Sequence, residues 1–173
     1  MAGMMDIVKN RRSVRSHSDK PIEKEKIERI IEAANHAPSA SNAYTWKIAV
    51  VQKKSLIRKI QSVSPGMLGS PTAVMALCND REKAKKMGGS KGGEIFCIMD
   101  VAHAAQNICL QATELGIGSC CIMSFNPEAV GELLEVPQQY KVDYLVSLGY
   151  QDRKPLAPKK RNVEEAVLSW TEE

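Results

Sequence analysis

The chain has 173 residues, with Lys and Arg totalling 24 against 20 Asp and Glu, a net charge of +4. Hydrophobic residues make up 43% and charged residues 25%, ordinary globular proportions that argue against disorder, collagen-like repeats and a disulfide scaffold. One domain spanning 1–173 is expected, and a chain of this size can bury roughly 70% of its unfolded surface.

The charge is too mild to imply nucleic acid without clustering, and an aromatic content of 5% disfavours a base-stacking surface. The five cysteines, Cys78, Cys97, Cys109, Cys120 and Cys121, are odd in number and contain no C-x-x-C pair. That fits neither a secreted disulfide framework nor a metal site. Met1 to Asn10 has no continuous apolar run, so no signal peptide is expected and a reduced, cytoplasmic setting is.

A short helix is expected over Met4 to Asn10. Arg11-Arg12-Ser13-Val14-Arg15 follows, with three guanidiniums in five residues. A guanidinium forks onto phosphate and a serine adds a hydroxyl donor, although a solvated basic turn has the same composition. Pro21 opens a second helix, whose Ile27, Ile30, Ile31 and Ala34 repeat at i, i+3, i+4 and i+7. Pro38 ends it. Ser39-Ala40-Ser41-Asn42 is then a polar loop, able to meet a polar heterocycle or simply to turn the chain. Thr45 to Val51 reads as a strand.

Lys53 to Val63 reads as a surface helix, Ser64-Pro65-Gly66 as a turn and Pro71 to Cys78 as a buried strand. Lys83 to Gly93 is polar and holds four glycines, so a mobile loop is expected. Ile95 to Leu115 reads as a helix with apolar residues around most of its circumference. Its polar residues Asp100, His103, Asn107, Gln111 and Glu114 form one narrow stripe, which speaks for a helix covered on most sides and against a bilayer span. Gly116-Ile117-Gly118 stops it. Ser119 to Met123 reads as a short strand. Asn126-Pro127 caps a helix that ends at Val136-Pro137. Val142 to Tyr150 reads as the last core strand. A basic loop, Arg153 to Arg161, and a short helix near Val163 to Trp170 complete the chain. The class is mixed α and β, and strand order does not follow from the pattern.

No acid–base constellation emerges. The histidines His17, His36 and His103 share no metal-ligand spacing. Cys120 or Cys121 as a nucleophile lacks a nameable base, and a small apolar role in a strand serves equally. Gly116-Ile117-Gly118 is not a dinucleotide fingerprint, because it ends a helix and lacks the third glycine.

Taken together and in order, Arg11 to Arg15, the run Glu32 to Asn42 with Trp46, Ala105 to Ala112, and Leu115 to Cys120 resemble the nitroreductase family of flavin enzymes. Leu148-Gly149-Tyr150 and the basic loop to Arg161 extend the resemblance over Met4 to Val167. It implies an α+β sandwich with a mostly antiparallel central sheet flanked by helices. It also implies a homodimer with FMN at the interface and the long central helix in that interface.

The resemblance further implies roles for individual residues. Arg11, Ser13 and Arg15, with Arg12, would hold the phosphate, the ribityl chain or the pyrimidine edge of the ring. Lys159 and Arg161 would add charge at the phosphate. Ser39 and Asn42 would approach the ring from the partner subunit. Cys121, Ile122 and Met123 would lay backbone across one ring face. The flavin then carries the chemistry and no side chain is catalytic. The implied activity is ping-pong hydride transfer from NADH or NADPH to the flavin N5, and then to a small acceptor such as a nitroaromatic or quinone. A flavin-binding sensor or carrier of the same fold is the alternative. Two departures bear on acceptor choice. Ala43-Tyr44-Thr45 stands where many relatives have Gln-Pro before the Trp, and there is little room for a helical lid between Val63 and Glu94.

Overall fold

A computed structural model describes residues 3–153 and 155–172. In chain order it contains α1 (Met4–Asn10), α2 (Lys24–Asn35), β1 (Trp46–Val51), α3 (Lys54–Ser62), β2 (Ala73–Asp80) and α4 (Arg81–Lys91). There follow α5 (Cys97–Glu114), β3 (Gly118–Ile122), α6 (Pro127–Leu133) and β4 (Tyr140–Gly149). The strands form one antiparallel sheet in the order β1-β2-β4-β3.

Period-two alternation divides β2 between two cores. Ala73, Met75 and Leu77 face α2 and α5, while Val74, Ala76 and Cys78 face α3 and α6. All six are buried, as expected of a central strand covered on both faces. In β4 the alternation slips. Leu77 pairs with Tyr144 but Cys78 pairs with Val142, so Asp143 is the extra residue of a bulge. The bulge leaves Val142 with Leu145 in one core and Tyr144 with the other. It also frees Asp143 to accept from Asn79 Nδ2 at 2.8 Å and to pair with Arg81, which ties the start of α4 to the sheet.

Two expectations need correction. The expected loop over Lys83 to Gly93 is mostly helix α4. The Asp80 side chain accepts from Lys83 N at 2.8 Å and caps it. Only Ala84 is buried, so no apolar period announced the helix. Gly88 and Gly89 (φ +65°) then break its helical geometry, and a π-turn over Gly92–Phe96 leads into α5.

The expected helix near Val163 to Trp170 is absent. Only a turn forms at 164–166, and Val163, Val167, Leu168 and Trp170 are exposed with no core to meet. Residue 154 of the expected basic loop lies outside the described residues.

Helix α5 is buried by its own chain along one side. Cys97, Val101, Ala104, Ala105, Ile108, Cys109 and Ala112 are buried. The polar stripe is divided between the covered and the open side. Asn107 Nδ2 donates to the Ala33 carbonyl of α2 at 3.0 Å, Glu114 pairs with Arg29, and Asp100 is buried. The open side presents Met99, Ala102, His103 and Gln106, continued by Ile95 and Phe96. Among the described residues no helix is long and apolar enough to cross a membrane.

Candidate active site

Residues 11–15 run extended beside β3. Val14 N donates to the Ser119 carbonyl at 2.9 Å, and Ser13 bridges Ser119 in parallel sense. Extended backbone sends alternate side chains to opposite sides. Val14 is buried and, with Arg12, lines a cavity of about 450 Å³ beside Gly116, Ile117, Gly118 and Gln151. Arg11, Ser13 and Arg15 take the other side, towards the thiols of β3. The charge of Arg11 acts on Cys121, and that of Arg15 on Cys120.

Arg12 is therefore separated from the other three. Its guanidinium donates to the carbonyls of Lys9 and Arg11, closing the C-terminal end of α1. Arg11, Ser13 and Arg15 form the set that is free to meet an anion.

Cys121 is exposed and Cys109 buried, with their sulfurs 3.5 Å apart. Hydrogen bonding from Cys109 brings the Cys121 thiol down to about 6, with help from Tyr144 and Arg11 against the cost of burial. The same hydrogen bond, then burial, pushes Cys109 up. Burial raises Cys120 and, with the nearby Asp143 carboxylate, pushes Cys78 up to about 12. Ile122 is buried under β4, and Met123 is exposed beyond the strand end.

Ser39 and Asn42 lie elsewhere. Their loop is held by buried Asp100 of α5, whose Oδ1 accepts from Ala40 N at 3.0 Å. Ser39 Oγ accepts from Tyr44 N at 3.3 Å. Ser41, Asn42 and Tyr44 all have φ between 43° and 53°. Three non-glycine residues in the left-handed region store strain of order 1–3 kcal/mol each, a feature that clusters at functional sites. The loop borders an open cleft of about 260 Å³ lined by Pro38, Ser39, Ala40, Phe96, Met99, Asp100 and His103. Asp100 was legible only as one residue of the polar stripe, and its contact with Ala40, 60 positions away, required the fold.

The expected site residues thus fall into two groups along α5. Asp100 anchors the Ser39–Asn42 loop near one end, and Cys109 marks the Arg11–Arg15 group nine residues on. At 1.5 Å per residue that is about 14 Å along the helix axis. Lys159 and Arg161 are exposed in the C-terminal segment. Among the described residues no hydrogen bond or ion pair joins them to either group. The same segment contributes Pro155 and Ala157 to the cavity beside Arg12.

Comparison with known proteins places these features in context. The model of the nitroreductase family matches residues 8–64 and 63–150. A protein of Archaeoglobus fulgidus with the provisional name NADH dehydrogenase/NAD(P)H nitroreductase is 34% identical over 156 residues, covering 87% of this chain and 86% of its own length. An FMN reductase (NAD(P)H) of Bacillus subtilis is 30% identical, covering 95% of this chain and 73% of that protein. Among solved structures, an FMN-dependent nitroreductase of Clostridium difficile superposes with a TM-score of 0.82 at 29% identity, over 97% of this chain and 99% of that one.

Proposed function

The chain belongs to the nitroreductase family, and on that premise we propose that it is an FMN-dependent oxidoreductase. It takes electrons from NADH or NADPH and passes them to a small acceptor such as a nitroaromatic or quinone, in a ping-pong cycle. The observation that carries this reading is the set Arg11, Ser13 and Arg15, aligned along edge strand β3.

The residues fit FMN. A phosphate leaving water needs several charge-assisted donors, and this set supplies two guanidiniums and a hydroxyl. Arg12 is left to close α1. Cys121, Ile122 and Met123 offer backbone at the exposed end of β3, the sheet's edge strand. Lys159 and Arg161 add positive charge from the C-terminal segment. When bound, FMN supplies the electron-carrying chemistry, so the chain needs no acid–base pair of its own.

The working unit is a homodimer, in which the open side of α5 meets its counterpart about a two-fold axis. Met99, Ala102 and Phe96, with exposed Met4, Met5 and Val8 of α1, supply the apolar surface. An antiparallel pairing of the α5 helices carries the Ser39–Asn42 loop of one protomer towards the Arg11–Arg15 group of its partner. Each site is then composite, which accounts for two half-sites about 14 Å apart along one helix. The cleft beside Phe96, Met99 and His103 lies next to that loop and admits a flat nicotinamide or acceptor ring. The setting is cytoplasmic.

Sedimentation of the protein with and without FMN tests the arrangement. A dimer carrying one flavin per chain is expected. A monomer that binds FMN fully would remove the composite site.

A further inference from the structure

The flavin reading uses no cysteine side chain, yet two thiols from different elements meet at the sheet edge. Cys109 lies on the buried side of α5 and Cys121 on the exposed edge strand β3, with sulfurs 3.5 Å apart. The turn between the elements holds them in register. Gly116 takes φ +72° and Ile117 N donates to the Ala112 carbonyl at 2.8 Å. Cys121 pairs with Val146, and Val146 and Cys109 share the core beneath α5.

The other thiols are placed differently. Cys78 and Cys97 are buried against the carbonyls of Ala76 and Gly93. The Cys120 thiol faces the carbonyl of Cys121. Among the described residues, Cys109 and Cys121 are the one pair of cysteines in sulfur–sulfur contact.

We propose that Cys109 and Cys121 form a reversible dithiol–disulfide couple that exchanges with low-mass disulfides, with Cys121 attacking and Cys109 resolving. The assignment goes beyond the flavin reading and does not depend on it. Exposure gives Cys121 of the FMN-free protein access to a soluble disulfide, before a flavin laid across residues 121–123 would cover it. The Arg11 charge and the Cys109 hydrogen bond favour its thiolate, which is the nucleophile in exchange. Cys109 is shielded from a bulky reagent but already touches the sulfur it must reach.

The Cys121 thiolate attacks one sulfur of RSSR, and the S–S bond breaks. RS⁻ leaves and takes up the proton that Cys121 had released. Cys109 then attacks the Cys121 sulfur of the mixed disulfide and passes its proton to the second departing RS⁻. The protein loses two protons and two electrons, and RSSR becomes two RSH. Bond formation brings the sulfurs from contact to about 2.05 Å, within reach of side-chain rotation at an exposed edge position.

The test exposes the purified, FMN-free, reduced protein to oxidised glutathione, followed by acid quench, intact mass and mapping with a Glu-specific protease, which cuts after Glu114 between the two cysteines, and then fragmentation of the linked peptides to assign each sulfur, because Cys97 accompanies Cys109 and Cys120 accompanies Cys121. The expected wild-type product has lost two hydrogens, joins the peptides of Cys109 and Cys121, and reverts with dithiothreitol. Cys120→Ser retains the cross-link. Cys109→Ala accumulates one glutathione on Cys121, and Cys121→Ser takes none on Cys109. A wild-type protein that keeps a stable glutathione adduct, stays fully reduced, or links through Cys120 overturns the proposal. The wild-type map decides even if a variant fails to fold.

Discussion

Val14 occupies the space that a side chain at position 118 would need. A Cβ on Gly118 would lie 2.7 Å from the Cβ and both γ carbons of Val14. The glycine therefore lets residues 11–15 lie flat along β3, and that placement sends Arg11, Ser13 and Arg15 to a common side. Gly118→Ala forces this segment away from the strand. Overpacking of this kind costs about 1–3 kcal/mol. Denaturant unfolding should show that loss, and FMN retention should fall by more than the stability change explains, because the cation set is displaced.

Within residues 11–15, the Arg11 and Arg15 side chains make no hydrogen bond or ion pair among the described residues, which leaves both guanidiniums for an anion. A hydrogen bond to a charged group contributes about 1.5–3 kcal/mol, or roughly 10- to 100-fold in affinity. Arg11→Ala and Arg15→Ala should each weaken FMN binding by about that factor in fluorescence titrations. Arg12→Ala should act mainly on stability. Undiminished FMN affinity in Arg11→Ala would remove this residue from the phosphate site.

Asp100 acts at a distance from the cations, as a positioning residue. It fixes Ala40 N and so the strained loop that carries Ser39 and Asn42. Asp100→Ala leaves that N–H without its partner and should cost about 1–2 kcal/mol. Turnover should drop while FMN affinity changes less. Asp100→Asn keeps an acceptor oxygen and should recover part of the turnover. Equal loss in both variants would point to the charge instead of the hydrogen bond.

His17 supplies a pH dependence. Burial lowers its pKa below 6.5, and neither ring nitrogen has a hydrogen-bond partner. The fold therefore favours the neutral ring. Its contribution is fully present above about pH 6.5 and is lost as pH falls through the lowered folded value. Urea midpoints at pH 7.5 and pH 5 should separate for the wild type and move closer together in His17→Gln. An unchanged separation would assign the pH effect to other groups.

Much of the fold was legible because it rests on local patterns. Ile27, Ile30 and Ala34 announced α2 by their spacing and are buried as expected, and the apolar run in β2 announced a strand covered on both faces. Helix α4 was hidden because it buries only Ala84 and depends on the Asp80 cap. Val163, Val167 and Trp170 have helical spacing without a surface to pack on, so the pattern produced no helix. In α5 the stripe of polar residues was legible, but that Asp100 and Asn107 turn inward to satisfy backbone groups of neighbouring segments followed only from the fold. The cation set was legible from five consecutive residues. Its separation from Arg12 followed only from the bridge to Ser119, and the contact of Cys109 with Cys121 only from α5 meeting β3.

An FMN oxidoreductase is decided by the visible spectrum of the purified protein, loaded with FMN and titrated anaerobically with NADH and then NADPH. Oxidised-flavin bands should bleach with at least one nucleotide and return when a quinone or nitroaromatic is added. Bands that persist with both nucleotides would contradict the reductase and leave a flavin-binding carrier or sensor. A protein that binds no FMN would contradict the site itself.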